Sequence, residues 1–236
     1  THISSVRSFP PVKRSRSAKA GSSLQKEDTK LAKTKANVAV LVSGGGTNLQ
    51  AIIDAEKAGI ITSGTIKLVI SNNEKAYALQ RAKDAGIASE VVLRKVTGSQ
   101  EAFEKKLMET LAAYEIDLIV LAGFMTILTA DFTSHYKNRI INVHPSLIPS
   151  FCGQGFYGLK VHEEALKKGV KVTGATVHFV NEIPDGGEII LQKAVDVLES
   201  DTPEILQKRV MEQAEWKLLP AAVELVSEKI ISGKQI

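Results

Sequence analysis

The stretch VAVLVSGGGTN, residues 38–48, decides the fold class of this chain. Its first five residues, 38–42, form a continuous apolar run that is typical of a strand buried on both faces of a parallel sheet. A turn of three glycines follows, and the apolar spacing over residues 49–58 then predicts an amphipathic helix. A buried strand, a tight turn and a helix in this order form the first half of a βαβ unit.

The same alternation continues along the chain and predicts an α/β fold. Further strands are predicted at residues 66–71, 91–93, 118–121 and 140–143, with helices at 76–85, 100–114 and 129–136. From Thr173 the pattern changes to two closely spaced strands joined by a Pro-Asp-Gly-Gly turn, and a last helix is predicted over residues 203–231. We therefore expect a single open, mostly parallel twisted sheet with helices on both faces and an antiparallel C-terminal extension, a Rossmann-like arrangement.

The composition argues against several classes of protein. The chain has 236 residues, of which 44% are hydrophobic and 24% charged, as in globular domains. Its longest apolar run, residues 117–124, falls short of the roughly 20 residues that cross a bilayer, so no membrane span is expected. Cys152 is the one cysteine, and no pair of histidines has the spacing of a metal site. We therefore expect no disulfide and no metal.

The first 36 residues differ from the rest in charge. They hold nine Lys and Arg against two acidic residues, a net charge of +7, so the other 200 residues sum to −3. A slightly acidic body argues against nucleic acid as a partner. Residues 1–36 are rich in serine and poor in large apolar residues, which predicts a disordered segment and suggests an organelle transit peptide. A solvated basic tail or a cloning remnant is the alternative. Residues 37–236 are the predicted folded domain.

The glycine turn, residues 43–48, is the first candidate site. Glycines let backbone N–H groups approach an anion closely, and the N-terminus of the following helix adds partial positive charge. The turn lacks the lysine of a P-loop and the spacing of a G-x-G-x-x-G motif, so a nucleoside triphosphate or NAD is disfavoured. We expect the turn to hold a phosphate group. The alternative is a turn without a ligand, in which Thr47 caps the helix.

Asn142 and His144 form the second candidate site, at the carboxyl end of a predicted buried strand. Side chains two residues apart on a strand share a face, so the amide and the imidazole are expected to converge where open α/β sheets bind ligands. Both can donate hydrogen bonds to the oxyanion that develops when a carbonyl is attacked. A purely structural histidine is the alternative.

Several other polar residues have two interpretations. Asp185 lies on the Pro-Asp-Gly-Gly turn and either shapes the turn or reaches the histidine of the second site and favours its charged form. Glu212 and Glu215 lie three residues apart on the last helix, where charged residues usually form a solvated face. His178 is predicted to be a hydrogen-bonded core residue, and His162 to begin a helix after a glycine-rich loop.

Five segments of the chain, taken in order, resemble the phosphoribosylglycinamide formyltransferase family. They are SGGGTNLQ (43–50), LAGFMTIL (121–128), INVHPSLIPSF (141–151), VTGATVHFV (172–180) and IPDGGEIILQ (183–192). The resemblance runs from about residue 37 to residue 226. The HPS and Asp-Gly-Gly motifs also occur in methionyl-tRNA formyltransferase and formyltetrahydrofolate deformylase. The glycine turn followed by Leu and Gln is therefore the discriminating segment.

The resemblance implies transfer of a formyl group from 10-formyltetrahydrofolate, as co-substrate, to the amine of glycinamide ribonucleotide in de novo purine synthesis. It makes residues 37–236 a catalytic domain with the catalytic set Asn142, His144 and Asp185. The ribonucleotide would contact Gly45, Gly46, Thr47, Asn48 and, through its amine, Glu215. The folate would contact Met125, Thr126, Ile127, Leu128, Asn142, Asn181, Glu182 and Asp185.

The chain also departs from the family pattern. Thr126 and Gln100 stand where the family often carries arginine, which bears on the folate contacts. The spacing over residues 209–215 is shifted by one, so Glu212 rivals Glu215 for the substrate amine. A formyltetrahydrofolate deformylase and a non-catalytic phosphosugar-binding module are the alternative functions. Residues 1–36 predict a plastid location, with the mitochondrion as the alternative, and no pattern indicates the oligomeric state.

Overall fold

The computed structural model describes residues 33–234, and this part of the chain contains one sheet of seven strands. The strands are β1 (Ala36–Val42), β2 (Gly64–Ser71), β3 (Ala88–Val91), β4 (Leu118–Leu121), β5 (Ile140–His144), β6 (Val172–Phe179) and β7 (Ile189–Asp196). The helices are α1 (Thr47–Lys57), α2 (Tyr77–Asp84), α3 (Arg94–Thr97), α4 (Gln100–Ala113), α5 (Ala130–His135), α6 (Leu159–Lys168), α7 (Pro203–Val210) and α8 (Trp216–Ser232), with a π turn at Met211–Glu215. No helix among residues 33–234 has the length and apolar character to span a bilayer. Residues 1–32 of the predicted transit peptide lie outside the part of the chain that the structure describes.

The strand order is β3-β2-β1-β4-β5-β6-β7. Strands β1 to β5 pair in parallel, whereas β6 runs antiparallel to β5 and to β7. The chain moves outward from β1 to β3 and then returns to β4 on the other side of β1. The order of the strands therefore reverses between β1 and β4, and the carboxyl ends of these two strands flank the crevice where open α/β sheets bind ligands. The arrangement confirms the predicted fold class.

The central strands are buried on both faces because helices cover each side of the sheet. Val38 and Val40 belong to one apolar cluster, to which α1 and α8 contribute. Ala39 and Leu41 belong to the other, which includes Phe103 of α4. Neighbouring residues of β1 thus serve opposite cores, which explains why the strand reads as a continuous apolar run.

The third strand differs from its prediction. The apolar run at residues 91–93 predicts a strand, but β3 begins and ends earlier, and the short helix α3 follows it. β3 pairs with β2 at the edge of the sheet, and its four residues are all exposed. An exposed edge strand is defined by backbone pairing rather than by apolar side chains, so the polar residues Ser89 and Glu90 belong to it. The apolar pattern therefore places this strand too late.

The prediction of one continuous helix at the C-terminus is also wrong. The structure divides it into α7, the π turn and α8. Thr202 caps α7 by accepting a hydrogen bond from the N–H of Ile205, and Pro203 occupies its first position. The π turn has i→i+5 hydrogen bonds, which take up more residues per turn than an α-helix does. The start of α6 also differs from its prediction. The helix is predicted to begin at His162, but it begins three residues earlier, at Leu159.

Gly174 in β6 leaves no room for a side chain. An added Cβ atom would lie 2.0 Å from the carbonyl oxygen of Lys193 in β7 and 2.9 Å from Leu147. We expect Gly174→Ala to lower the free energy of unfolding by about 1–3 kcal/mol, because the strands must shift to relieve the overlap. Urea denaturation measures this change. Gly44→Ala is the control, since a Cβ atom there meets no protein atom within 4 Å. Equal stability of the two variants would contradict the prediction.

Candidate active site

The candidate site lies at the carboxyl edge of the sheet, where the segments that follow β1, β2 and β4 are joined by hydrogen bonds. The hydroxyl of Ser43 accepts a hydrogen bond from the N–H of Met125 (2.9 Å). Asn72, after β2, donates from its amide to the hydroxyl of Thr126 (2.8 Å). These bonds connect the glycine turn with the β4 loop, residues 122–129. The predicted phosphate and folate contacts therefore share one edge of the protein.

The three predicted catalytic residues come together at this edge. Oδ2 of Asp185 lies 3.5 Å from Nδ1 of His144, and Asn142 precedes that histidine by two residues on β5. His144 is buried, and the side chain of Asp185 is largely so. A carboxylate this close stabilises positive charge on an imidazole ring.

His178 completes the cluster, although the sequence pattern favours a core histidine over one near the site. The antiparallel register of β5 and β6 sets His178 opposite Asn142. Its Nε2 atom lies 3.2 Å from Nδ2 of Asn142 and 3.5 Å from Oδ1 of Asp185, and its Nδ1 donates to the carbonyl of Phe179 (2.7 Å). The prediction of a buried, hydrogen-bonded histidine is right, but its partners belong to the site. The register between residues 142 and 178 is the signal that identifies it.

The segment after β5 contacts the cluster through its backbone. Nε2 of His144 donates to the carbonyl of Phe151 (2.8 Å), and the N–H of Gly153 donates to Oδ2 of Asp185 (2.8 Å). Phe151 has a φ of 48° and Asp185 a φ of 55°, both in the left-handed region that few non-glycine residues adopt. Because a carbonyl only accepts, Nε2 of His144 carries a hydrogen, and Nδ1 is the nitrogen that faces Asp185.

Two buried groups of the site differ in how readily they become charged. Burial opposes ionisation of Asp185, but the hydrogen bond from His178, the nearby His144 and the N–H of Gly153 together outweigh it and lower its pKa. His162 is fully buried on α6, and neither ring nitrogen has a protein partner in the described chain. Burial and the neighbouring His144 lower the pKa of His162 to about 4. At neutral pH the site therefore contains an aspartate anion and a neutral histidine.

A cleft of about 120 Å³, partly open to solvent, adjoins the cluster. Seven of the eight predicted folate contacts line it: Thr126, Ile127, Leu128, Asn142, Asn181, Glu182 and Asp185. Met125, the eighth, lies on the same loop but is exposed outside the lining. Apolar side chains such as Leu121 and Val180 line the cleft together with polar ones such as Asn142 and Asn181, a combination found in small-molecule sites. Within residues 33–234, no group of three or more His, Cys, Asp or Glu side chains is placed to hold a metal ion.

The two positions that depart from the family pattern make hydrogen bonds within the protein. Gln100 donates to the carboxylate of Glu104 (2.7 Å) and to the carbonyl of Ile127 (3.1 Å). The same carboxylate accepts hydrogen bonds from the N–H and the hydroxyl of Thr129. Thr126 accepts the bond from the segment after β2 described above. Neutral side chains at both positions therefore hold the β4 loop in place.

The glycine turn ends in a backbone arrangement that leaves N–H groups free for an anion. Gly46, with φ 71° and ψ 33°, is the N-cap of α1, and no side chain caps the helix. Thr47 is the first helical residue and is therefore not the cap. A left-handed residue followed by right-handed ones directs successive N–H groups to one side and forms an anion-binding concavity.

The π turn brings Glu215, rather than Glu212, to the glycine turn. Nδ2 of Asn48 donates to the carboxyl of Glu215 (2.7 Å), and Oδ1 of Asn48 is buried without a protein partner among the described residues. Glu212 is exposed and lies 3.8 Å from Lys208. Burial raises the pKa of Glu215, and the hydrogen bond from Asn48 offsets part of this effect. The site thus places acceptors suited to an amine next to N–H groups suited to an anion.

Known proteins with related sequences include phosphoribosylglycinamide formyltransferases. The chain matches the protein family described as Formyl transferase over residues 36–223. It is 44% identical over 177 residues to the phosphoribosylglycinamide formyltransferase of Escherichia coli (strain K12), a match that covers 75% of this chain and 81% of that protein. It is 36% identical over 199 residues to the Arabidopsis thaliana protein named phosphoribosylglycinamide formyltransferase, chloroplastic, with 84% and 68% covered.

The structural comparison agrees with these sequence matches. The crystal structure of glycinamide ribonucleotide transformylase 1 from Symbiobacterium toebii aligns with a TM-score of 0.77 at 43% identity, covering 83% of this chain and 89% of that chain. The chain also matches the human trifunctional purine biosynthetic protein adenosine-3 at 45% identity, but it spans only 19% of that protein's length.

The raised pKa of Glu215 predicts a pH dependence of stability. The folded chain holds this proton more tightly than the unfolded chain, so the contribution is lost as the pH rises from the ordinary value of glutamate through the folded value. Glu215→Gln removes the titration and keeps an acceptor for Asn48. We expect this variant to be more stable than the native chain at neutral pH, with the difference fading below about pH 4.

Urea denaturation across this pH range tests the prediction, with the exposed Glu212→Gln as the control. A pH dependence of Glu215→Gln that matches the native chain would contradict it.

Proposed function

Because the chain belongs to the formyl transferase family, we propose that it transfers a formyl group from 10-formyltetrahydrofolate to the amine of glycinamide ribonucleotide, in de novo purine synthesis. One observation carries the proposal. The cluster of Asn142, His144 and Asp185 adjoins a small-molecule cleft, while the same edge of the sheet holds the buried Glu215 beside an anion-binding turn. The names of the bacterial and plant relatives support the same assignment.

The folate occupies the cleft in this proposal. Its flat pterin ring packs between apolar side chains of the cleft such as Leu121 and Val180, and its polar ring edge meets the segment that includes Asn181 and Glu182. This places the formyl group at the end of the cleft where Asn142 and Asp185 lie. The position of the cluster in the lining supports this orientation.

The ribonucleotide binds through its two ends. Its phosphate accepts hydrogen bonds from the N–H groups of Gly45, Gly46, Thr47 and Asn48, which the left-handed Gly46 and the uncapped helix leave available. Its amine donates to Glu215, which the hydrogen bond from Asn48 holds beside the turn. The two ends of the substrate are therefore distinguished by charge.

The transfer proceeds by attack of the amine nitrogen on the formyl carbon. A C–N bond forms and the formyl oxygen becomes an oxyanion. Asn142 donates a hydrogen bond to it, and His144 donates from Nε2 once that N–H leaves the carbonyl of Phe151. His144 carries the proton lost by the amine to N10 of the folate, where the old C–N bond breaks. Asp185 stabilises the charged ring and its orientation, and His178 orients Asn142. The products are formylglycinamide ribonucleotide and tetrahydrofolate.

We expect His144→Ala to lower kcat by at least about 10³-fold, because the substitution removes an oxyanion donor and the proton carrier together. Its affinity for glycinamide ribonucleotide should stay within about threefold of the native value, since the glycine turn and Glu215 are untouched. Steady-state kinetics and titration calorimetry measure the two quantities.

His135→Ala, at the exposed end of α5, is the matched control. A native kcat for His144→Ala would overturn the assignment. Formate release from 10-formyltetrahydrofolate without ribonucleotide would support the deformylase instead, and ribonucleotide binding without turnover would support the phosphosugar-binding module.

We further propose that residues 1–36 direct the chain to plastids, with mitochondria as the alternative. The proposal rests on their basic, serine-rich composition, and the Arabidopsis relative is named as chloroplastic. A fluorescent protein fused behind residues 1–36 should accumulate in the plastids of plant cells. The same fusion with Arg7, Arg14 and Arg16 changed to glutamate should stay in the cytosol. A cytosolic signal from both fusions would reject the targeting role.

A further inference from the structure

Helix α2 packs directly on the glycine turn and fixes two of its carbonyl groups. The N–H of Ala78 donates to the carbonyl of Gly44 (3.1 Å), and Nε of Arg81 donates to the carbonyl of Gly45 (2.8 Å). The packing at this point is close, since a Cβ atom added to Gly46 would lie 2.6 Å from Cβ of Ala78. Both carbonyls of the turn therefore face α2.

The direction of these carbonyls determines the direction of the neighbouring N–H groups. In a planar trans peptide the C=O of one residue and the N–H of the next point to opposite sides. When the carbonyls of Gly44 and Gly45 point toward α2, the N–H groups of Gly45 and Gly46 point away from it. Within the described chain, neither of these two N–H groups has a protein acceptor. They are free for an anion on the side opposite Arg81.

The guanidinium of Arg81 is held in this position by two further contacts. Nη1 donates to the side chain of Gln50 in the first turn of α1 (3.0 Å), and the group lies over the ring of Tyr77, 5.0 Å from its centre. Arg81 therefore links the turn to the helix that follows it. Its positive charge also lies next to the backbone that would receive the phosphate, where it adds to the field of the free N–H groups.

We propose that Arg81 is a positioning residue for the phosphate-binding turn, and that it sets the affinity for the phosphate end of the ribonucleotide without contacting the reacting atoms. The inference rests on the proposed function for the identity of the substrate. It adds a residue of α2, outside the glycine turn, to the groups that determine substrate specificity. Neither the turn motif nor the catalytic cluster indicates this role.

Arg81→Met and Arg81→Lys test the role, with Lys83→Met as the control that removes one positive charge from the exposed side of the same helix. Calorimetry compares binding of glycinamide ribonucleotide with binding of its dephosphorylated riboside and of a folate analogue. We expect Arg81→Met to weaken ribonucleotide binding roughly 10- to 100-fold, the usual range for loss of a charged hydrogen bond. Riboside binding, folate binding, and kcat at saturating ribonucleotide should stay within about threefold.

Arg81→Lys separates position from charge. A lysine keeps the charge but lacks the planar group that bonds Gly45 and Gln50 together, so we expect it to recover only a small part of the affinity. Full recovery by lysine would overturn the positioning role, as would an unchanged affinity of Arg81→Met for the ribonucleotide. Equal losses for ribonucleotide, riboside and folate would also overturn it, because they would indicate general unfolding. The failure of the proposed function would look different. If the native chain binds ribonucleotide but does not formylate it, the proposed function is wrong, whereas the binding of the Arg81 variants still tests the positioning role.

Discussion

The carboxylate of Asp185 connects separate segments of the chain at the carboxyl edge of the sheet. One oxygen lies beside His144 of β5 and also accepts from the N–H of Gly153, and the other lies beside His178 of β6. Strands β5 and β6 run antiparallel, so their registers bring residues from distant parts of the sequence to one place. Three segments thus converge on one buried anion. Because each partner also lowers the pKa of that anion, the same contacts determine both its position and its charge.

The glycine turn and the cleft, the two ends of the site, present different kinds of polar group. In the proposed function the glycine turn recognises its ligand through backbone N–H groups, whose directions depend on hydrogen bonds to α2. In the same proposal the cleft recognises its ligand through side chains, some of them on the β4 loop, which Glu104 and Ser43 connect to α4 and to the end of β1. Backbone donors suit an anion that differs little among substrates, whereas side chains can vary with the shape of a larger ligand. This division explains why the turn is conspicuous in the sequence and the cleft is not.

What could be predicted from the sequence depends on how local the determining interaction is. The central strands and the glycine turn follow from burial on both faces and from backbone freedom, which neighbouring residues reveal. Strand β3 could not be placed because it is exposed, and apolar residues do not mark an exposed edge. His178 acquires its partners through strand register, and Glu215 acquires Asn48 across 167 residues of chain, so no local pattern contains either contact. The resemblance supplied Glu215, and only the three-dimensional structure separates it from Glu212.

The π turn has a consequence for how this protein can change in length. Helix α7 packs against α6, whereas α8 packs against α1 and the sheet. In a continuous α-helix one inserted residue rotates everything beyond it by about 100°, which would move one of these two buried faces out of contact. A wide turn between them absorbs the extra residue locally. The two halves of the C-terminal helix can therefore gain or lose a residue at their junction while each keeps its own packing partner.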